Sequence, residues 1–236
     1  MVRLARIFVI GIGYRPLGKK AGEMLANSRA VYVSDRLLDV FTRYEEYESV
    51  RDRLKVNNSV SETIASIKAS LIEGPSSPVT LLASGDPMFF GIGRRTVEEF
   101  GKEMVEIVPD VSSIQEAFAR ICEPWDNAFL VSMHGGPDPH CRRKLEYGLE
   151  DMPQLLMEHK KMAILTDDVN NPAVIAKALA DKGGNTGITI HVCEKLGYPD
   201  EKITVGTPDE IMGKSFCEPN VMIVKRSVSQ DRSAGF

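Results

Sequence analysis

Short apolar runs alternate with amphipathic stretches along almost the whole chain. The first run, Ile7–Ile12, precedes a stretch of helical character at residues 17–26, and Ala30–Val33 forms a second run. Alternation of strands and helices is typical of parallel sheets in α/β layers. The pattern therefore predicts an α/β fold.

The same alternation continues to the end of the chain. At 61–72 the apolar residues Ile64, Ile67, Leu71 and Ile72 share one face of a predicted helix, with Ser61 as its N-cap. The other predicted helices lie at 92–100, 114–121, 139–159 and 172–182. The other predicted strands lie at 79–83, 103–108, 128–133, 162–166 and 187–193, with closing, antiparallel strands at 202–205 and 221–224.

The alternation of strands and helices starts again once, after residues 109–113. This stretch is the predicted hinge between two domains. The chain has 236 residues, which is long for one domain and comfortable for two small ones. We therefore expect an N-terminal α/β domain at 1–113 and a C-terminal α/β domain at 114–236.

Composition and charge narrow the class of protein. Hydrophobic residues make up 43% of the chain and charged residues 26%, as in ordinary globular proteins. A net charge of −4 argues against a nucleic-acid partner, and no apolar run approaches the ~20 residues that span a bilayer. The four cysteines are widely spaced, which is typical of reduced thiols and predicts a cytoplasmic location.

A polar turn directly follows one of the apolar runs. After residues 79–83 the chain reads Ser84-Gly85-Asp86-Pro87. Gly85 permits a turn that a side chain would block, and Pro87 removes a donor and holds Asp86 extended. Open α/β sheets bind ligands in loops at the carboxyl ends of strands. The segment indicates a ligand site, with an ordinary surface turn as the alternative.

A second glycine pair follows the first strand. Gly11 and Gly13 are compatible with the start of a dinucleotide-binding fingerprint, and Asp35 follows the second strand where a ribose-binding acid belongs. Pro16 takes the place of the third glycine, however. A tight strand-to-helix turn is the favoured interpretation, and a nicotinamide-dependent oxidoreductase stays an alternative.

One grouping along the chain contains histidine and cysteine, the residue types that bind zinc. His134, His140 and Cys141 have a spacing that matches no common zinc pattern. We therefore predict no metal site.

The polar turn carries a likeness to a known family. The run Ser84-Gly85-Asp86-Pro87 resembles the loop with which the tetrapyrrole (corrin and porphyrin) methylases hold S-adenosylmethionine. Residues 109–114 are similar to the family's Pro-Gly-Val-Ser-Ser, with Asp110 in place of glycine. The family's first loop reads Gly-x-Gly-Pro-Gly, and here Tyr14 and Arg15 replace the Pro-Gly pair.

Later segments resemble one branch of that family, the enzymes that methylate C5 of the corrin ring. Residues 131–136 resemble its Ser-x-His-Gly motif, and 164–167 with 171–173, and then 192–201, fit the same branch in the same order. The resemblance covers nearly the whole chain.

The resemblance implies two α/β domains with S-adenosylmethionine in the cleft between them, and a homodimer. The cofactor-binding residues would be Ser84, Gly85, Asp86, Phe89, Ser112, Ser113, Thr166 and Leu196. A tetrapyrrole substrate carries many carboxylates, so local positive charge is expected at the mouth of the site. Candidates are Arg15, Lys19, Arg94, Arg95 and His134, each equally compatible with an ordinary surface role. The catalytic base is unknown, and His134 is the one candidate.

The expected function is therefore C5 methylation of a precorrin, with or without cobalt, in cobalamin biosynthesis. C15 methylation with decarboxylation would reside on another polypeptide. The alternatives are a methylase for another ring carbon, a methylase for a non-tetrapyrrole acceptor such as a modified protein histidine, the oxidoreductase, and a cofactor-binding protein without turnover.

Overall fold

The computed structural model describes residues 6–135, 144–181 and 187–227. Contacts divide the chain into two compact units, Met1–Ser112 and Ser113–Phe236. Each unit contains one five-stranded sheet with helices packed on it. The predicted α/β class is confirmed. The domain boundary after residue 113 and the cleft expected between the domains stay predictions.

The first unit is built on a parallel sheet with the strand order β3-β2-β4-β1-β5. Its elements are β1 (Ile7–Ile12), α1 (Lys19–Asn27), β2 (Ala30–Val33), α2 (Asp35–Phe41), α3 (Tyr47–Val50), β3 (Leu54–Val56), α4 (Val60–Glu73), β4 (Val79–Ser84), α5 (Ile92–Phe100) and β5 (Val105–Val108). Parallel strands need crossover connections, which the helices supply.

The strands β1, β2 and β4 are buried almost throughout on both faces, as their near-continuous apolar sequences predict, whereas the edge strand β3 is largely exposed. On one face Ile7, Val9 and Leu81 pack with Ile67 of α4 in a single cluster. The other face contains a buried polar pair, in which the Ser28 and Thr80 hydroxyls hydrogen-bond at 2.7 Å. A buried polar group that keeps a partner does not bear the desolvation cost of an unpaired one.

The second unit contains a mixed sheet with the order β6-β7-β10-β8-β9. Its elements are α6 (Ser113–Arg120), β6 (Phe129–Ser132), α7 (Met152–His159), β7 (Lys161–Leu165), α8 (Pro172–Ala180), β8 (Ile188–Glu194), β9 (Lys202–Gly206), α9 (Pro208–Met212) and β10 (Asn220–Arg226). β10 lies antiparallel between β7 and β8, and β9 is antiparallel to β8. The antiparallel closing strands are therefore confirmed.

Helix α4 corrects two predictions. Its N-cap is Ser59, whose hydroxyl accepts from the Glu62 amide at 3.1 Å, so Ser61 lies inside the helix. Ile72 is 80% exposed, because it lies five positions after the buried Ile67 and therefore away from the buried face.

The long helix predicted at 139–159 is confirmed at its C-terminal end, over 152–159, and wrong at 144–148. Residues 144–148 are not helical, a single 3₁₀ turn covers Leu149–Asp151, and α7 begins at Met152. Gly148 disfavours helix, whereas Pro153 suits a first helical turn because its missing N–H has no partner there. Residues 139–143 lie outside the described part.

Four further elements, α2, α3, β3 and α9, had no counterpart in the sequence-based prediction. Each is seven residues or shorter, which is below the length at which hydrophobic periodicity is a strong signal. Among the residues that the structure describes, every helix is too short or too polar to cross a bilayer.

Candidate active site

Three loops leave neighbouring strands at one edge of the first sheet. Because β4, β1 and β5 are parallel and adjacent, their carboxyl ends lie side by side. The β1–α1 loop spans residues 13–18, the β4–α5 loop spans 85–91, and residues 109–112 follow β5. Of the first unit's predicted cofactor and substrate residues, Arg94 and Arg95 lie in the first turn of α5. The others lie on these loops or at the strand ends before them: Arg15, Ser84, Gly85, Asp86, Phe89 and Ser112.

Gly11 allows two of these loops to meet above β1. A Cβ atom on Gly11 would lie 1.9 Å from the Gly85 carbonyl oxygen and 2.5 Å from the Asp110 nitrogen. That nitrogen donates to the same carbonyl at 3.3 Å, and the Gly85 amide donates to Ile12 O at 2.9 Å. Gly11 is therefore required by close backbone packing, whatever binds nearby.

The Gly-Asp-Pro turn has the conformation that its sequence predicts. Gly85 has a φ of +58°, in the left-handed region that favours glycine. An Asp86 carboxylate oxygen accepts from the Met88 amide at 2.8 Å, which closes the turn on itself. Helix α5 begins tightly against the turn, since the Gly93 amide donates to Pro87 O at 2.9 Å.

The surface of this turn combines groups of different chemistry. Ser84 is exposed and Asp86 is half-buried. The Phe89 and Phe90 rings meet edge to face with centroids 4.9 Å apart, and Phe90 is 40% exposed. A hydroxyl, a carboxylate and aromatic carbon at one strand end suit a small ligand with polar, cationic and flat apolar parts.

The β1–α1 loop directs its amides into the protein. The Gly13 amide donates to the Tyr44 hydroxyl at 2.7 Å. The Tyr14 and Arg15 amides donate to the same Asp110 carboxylate oxygen at 2.8 and 3.3 Å. Burial raises the pKa of Tyr44, the Gly13 hydrogen bond opposes this, and the Asp110 charge adds to it. Three successive amides thus have acceptors from the protein itself.

This arrangement does not fit the dinucleotide alternative. A pyrophosphate would need the amides that Tyr44 and Asp110 already occupy. Strand β4 also lies between β1 and β2, whereas the dinucleotide fold places its first two strands side by side. Asp35 is exposed and hydrogen-bonds to the Asn58 side chain.

The positive candidates near this edge are exposed side chains. Arg15 is exposed, and Lys19 lies 4.0 Å from Glu23. Arg94 pairs with Glu98 at 3.6 Å, and Arg95 pairs with Glu99 at 3.4 Å. Exposed ion pairs of this kind contribute only about 0–1 kcal/mol, so these cations remain able to exchange partners.

The two serines of the predicted hinge differ in their surroundings. Ser112 is 6% exposed, and its Cα would lie 3.4 Å from a Cβ on Gly85. Ser113 is half-buried and is the first residue of α6, in the second unit. The structure therefore places Ser112 directly beside the Gly-Asp-Pro turn.

The second unit places its three candidates at one edge of its own sheet. β6, β7 and β8 run in the same direction, so His134, Thr166 and Leu196 all follow carboxyl ends. The Thr166 hydroxyl donates to Asn220 O at 2.8 Å, and Leu196 is 4% exposed. His134 is exposed. These local contacts engage the Thr166 hydroxyl and bury Leu196.

Sequence reasoning assigned no role to a buried pair beside His134. Asp167 is 5% exposed and accepts from the Gly135 and Asn170 amides, both at 2.8 Å. The Asn170 side chain donates to Met133 O at 2.9 Å, and His134 Nδ1 lies 3.9 Å from Asp167. The pair fixes the backbone that carries His134. The sequence did point to Asp167, because residues 164–167 resemble a segment of the C5-methylating branch of the family.

Asp110 and Tyr44 were missed as site residues too. Asp110 had a signal, because it departs from the family pattern, whereas nothing local connects Tyr44 with residue 13. Among the described residues, no group of histidine, cysteine, aspartate or glutamate side chains is arranged to hold a metal. His140 and Cys141 lie outside those residues.

With this geometry in place, comparison with known proteins identifies the family. A model of the tetrapyrrole (corrin/porphyrin) methylases matches residues 6–212. The chain belongs to this family and is a methyltransferase.

Individual relatives refine the comparison. A protein of Methanocaldococcus jannaschii named probable cobalt-precorrin-7 C(5)-methyltransferase is 30% identical over 215 residues, 89% of this chain and 93% of that protein. A precorrin-6Y C(5,15)-methyltransferase (decarboxylating) of Sinorhizobium sp is 31% identical over 83% of this chain. The match covers 43% of that longer protein, so this chain spans about half its length.

A solved structure agrees in fold. The crystal structure of a precorrin-6Y methylase from Archaeoglobus fulgidus superposes with a TM-score of 0.66 at 22% identity, covering 95% of this chain and 99% of that one.

Proposed function

We propose that this methyltransferase transfers a methyl group from S-adenosylmethionine to C5 of a precorrin or cobalt-precorrin macrocycle, in cobalamin biosynthesis. The observation that carries the proposal is the 30% identity, over 89% of the chain, to the protein named probable cobalt-precorrin-7 C(5)-methyltransferase. The Ser-x-His-Gly segment at His134 supports the same branch.

The residues of the Gly-Asp-Pro turn fit the proposed cofactor. Its left-handed glycine is buried, and a Cβ there would approach Val111 O to 2.8 Å, so the turn keeps its shape only without a side chain at this position. Beside it lie a half-buried carboxylate, an exposed hydroxyl and two aromatic rings. When bound, S-adenosylmethionine supplies an electrophilic methyl group on a cationic sulfonium.

Ser84, Gly85, Asp86 and Phe89 would hold that cofactor, together with Ser112 and, in the second unit, Ser113, Thr166 and Leu196. The chain does not need a nucleophile of its own, because the acceptor carbon attacks the methyl group. Its residues contribute by orienting the reactants and excluding water. His134, whose backbone Asp167 and Asn170 fix, is the candidate for holding a proton.

The substrate would bind through its carboxylates. Arg15, Arg94 and Arg95 are exposed cations at or just after the loops of the first sheet's edge. Charge-assisted hydrogen bonds to carboxylates contribute about 1.5–3 kcal/mol each. These arginines are the proposed substrate contacts, with His134.

The proposal includes the surroundings of the reaction. We expect a homodimer in the cytoplasm. The free state of Cys122, Cys193 and Cys217 supports a reducing compartment.

The decisive experiment combines ligand titration with product analysis. Calorimetric titration should show binding of S-adenosylhomocysteine and no binding of NAD. Incubation with ¹³C-methyl-labelled S-adenosylmethionine and a precorrin should place the label on C5 by NMR.

Each alternative predicts a different result. Label on another ring carbon, or transfer only to a non-tetrapyrrole acceptor, would overturn the C5 proposal within the family. Binding of S-adenosylhomocysteine without turnover on any precorrin would indicate a cofactor-binding protein. NAD binding without a response to S-adenosylhomocysteine would contradict the cofactor itself.

A further inference from the structure

Asp110 connects the loops that follow three adjacent strands. Its carboxylate Oδ2 accepts from the Tyr14 and Arg15 amides at 2.8 and 3.3 Å, and its Oδ1 accepts from the Val111 amide at 2.7 Å. Its own amide donates to Gly85 O at 3.3 Å. Asp110, which follows β5, therefore contacts both the β1–α1 loop and the β4–α5 loop.

The contact with the β1–α1 loop has the form of an anion site. Two successive backbone amides converge on one carboxylate oxygen, which is how turns of the main chain hold phosphates and carboxylates. Here the anion comes from the protein. Hydrogen bonds to a charged acceptor are about twice as strong as neutral ones, so this carboxylate holds the loop firmly.

Tyr14 and Asp110, which both depart from the family pattern, form this contact together. The pattern that the first loop resembles has proline at position 14, and proline has no N–H to donate. The pattern after β5 has glycine at position 110, which has no carboxylate. In this chain Tyr14 supplies the donor and Asp110 the acceptor, so each departure gives the other its partner.

The β1–α1 loop, which Asp110 holds, lies against the Gly-Asp-Pro turn. A Cβ atom on Gly85 would be 3.7 Å from the Tyr14 ring, which is van der Waals contact. The next residue, Arg15, is exposed and is a proposed substrate contact. Movement of this loop would therefore shift the Tyr14 ring beside the Gly-Asp-Pro turn. It would also shift the backbone of Arg15, the proposed substrate contact.

We propose that Asp110 is a positioning residue, whose carboxylate acts as a built-in anion that fixes Tyr14 and Arg15 for substrate binding. The substrate part rests on the proposed function. The anion part does not, since it concerns contacts within the chain.

The test replaces Asp110 by glycine and by asparagine and supplies the missing anion as formate. Asp110→Gly should raise the KM for the precorrin about ten-fold and the Kd for S-adenosylhomocysteine less than about three-fold, with kcat little changed. Formate at high concentration should restore much of the KM and raise the Tm of this variant, but not that of the unmodified protein. Asp110→Asn keeps one acceptor oxygen and should be intermediate.

The matched control is Asp52→Gly, which removes a carboxylate that is 95% exposed and lies beside Arg51. It should show no formate response. A lowered Tm in Asp110→Gly without recovery by formate would overturn the proposal, because it would indicate a structural role alone. Equal losses in precorrin KM, cofactor Kd and kcat would overturn it as well. The Tm measurements need no substrate, so they decide the anion part even if no precorrin is methylated.

Discussion

At the scale of single residues, the candidate active site depends on positions where backbone comes close to backbone. Gly11 and Gly85 both lack the Cβ that would collide with a neighbouring main chain, at 1.9 Å for Gly11 and at 2.8 Å for Gly85. Protein interiors are too densely packed to absorb such an overlap cheaply. These glycines therefore set the shape of the site before any ligand is present.

Gly85→Ala is expected to reduce cofactor binding as well as stability. The left-handed φ costs about 1–2 kcal/mol for a residue with a Cβ, and the contact with Val111 O adds to it. Gly101→Ala is the matched control, since Gly101 also has a left-handed φ of +82° but has open space around it. Urea unfolding and titration with S-adenosylhomocysteine should show a stability loss in both variants and an affinity loss in Gly85→Ala alone. Equal affinities would reduce the turn to a structural element.

The proposed substrate role of Arg94 and Arg95 can be tested with substitutions and a matched control. Arg94→Ala and Arg95→Ala should each raise the KM for the precorrin about three- to ten-fold, less than a free arginine would, because Glu98 and Glu99 already share their charge. The Kd for S-adenosylhomocysteine should not change. Arg51→Ala removes a similarly exposed arginine, paired with Glu48, just before β3, and should leave the kinetics unchanged. If all three variants behave alike, Arg94 and Arg95 have no substrate role.

At the scale of elements, local hydrogen bonds fix where helices begin. The Ser59 hydroxyl accepts from the Glu62 amide at the start of α4, and the Asn171 side chain accepts from the Ala173 and Val174 amides at the start of α8. A cap of this kind satisfies an amide that the helix itself leaves free. It also determines which residues fall on the buried face.

Substitutions of Ser59 and Ser61 distinguish the N-cap of α4 from the interior of the helix. Ser59→Ala should lower the free energy of unfolding by about 1 kcal/mol, because it removes the acceptor for the Glu62 amide. Ser61→Ala should be neutral or slightly stabilising, since Ser61 is exposed inside the helix and alanine is the better helix former. Urea unfolding measures both. The reverse order of the two effects would place the start of the helix at Ser61.

At the scale of the whole molecule, charges in the second unit couple its stability to pH. His191 is half-buried and its Nδ1 has no hydrogen-bond partner. Burial lowers its pKa from 6.5 and the charge of Lys225 lowers it further, while Glu123 opposes the shift. The hydrogen bond from Lys225 holds the pKa of Glu123 below 4.5, with burial opposing.

Stability should therefore fall in two steps on acidification. Folded His191 binds its proton less readily than the unfolded chain, so the unfolded state gains as pH falls below about 6.5. Glu123 stabilises the fold above about 4.5 and loses that effect as pH falls through its lowered pKa. Urea midpoints from pH 3 to 8 should be flat above pH 7. His191→Phe should flatten the upper step. Glu123→Gln should reduce the lower step without abolishing it, because the pKa values of Glu99, Glu201 and Glu210 are lowered as well. A slope unchanged by both variants would assign the acid sensitivity to other groups.

The sequence by itself determined the features that depend on local pattern. Periodicity located β1, β2, β4 and α5 within a residue or so, because burial of one strand or helix face appears directly in the spacing of apolar residues. The Gly-Asp-Pro turn was predicted for a similar reason, since left-handed backbone and a closing carboxylate are properties of those residues themselves. The family likeness rested on the same segments and is confirmed.

The tertiary structure alone decided which distant residues meet. Strand order is one example, because β4 lies between β1 and β2 and so separates Gly13 from Asp35. Asp110 is another, since its partner Tyr14 is 96 positions away in the chain. Such pairings depend on the packing of whole elements around a common core, and nothing in the local spacing of either residue encodes the other. Turns and apolar faces are therefore determined by the local sequence, whereas the contact between Asp110 and the Tyr14 amide is determined by the fold.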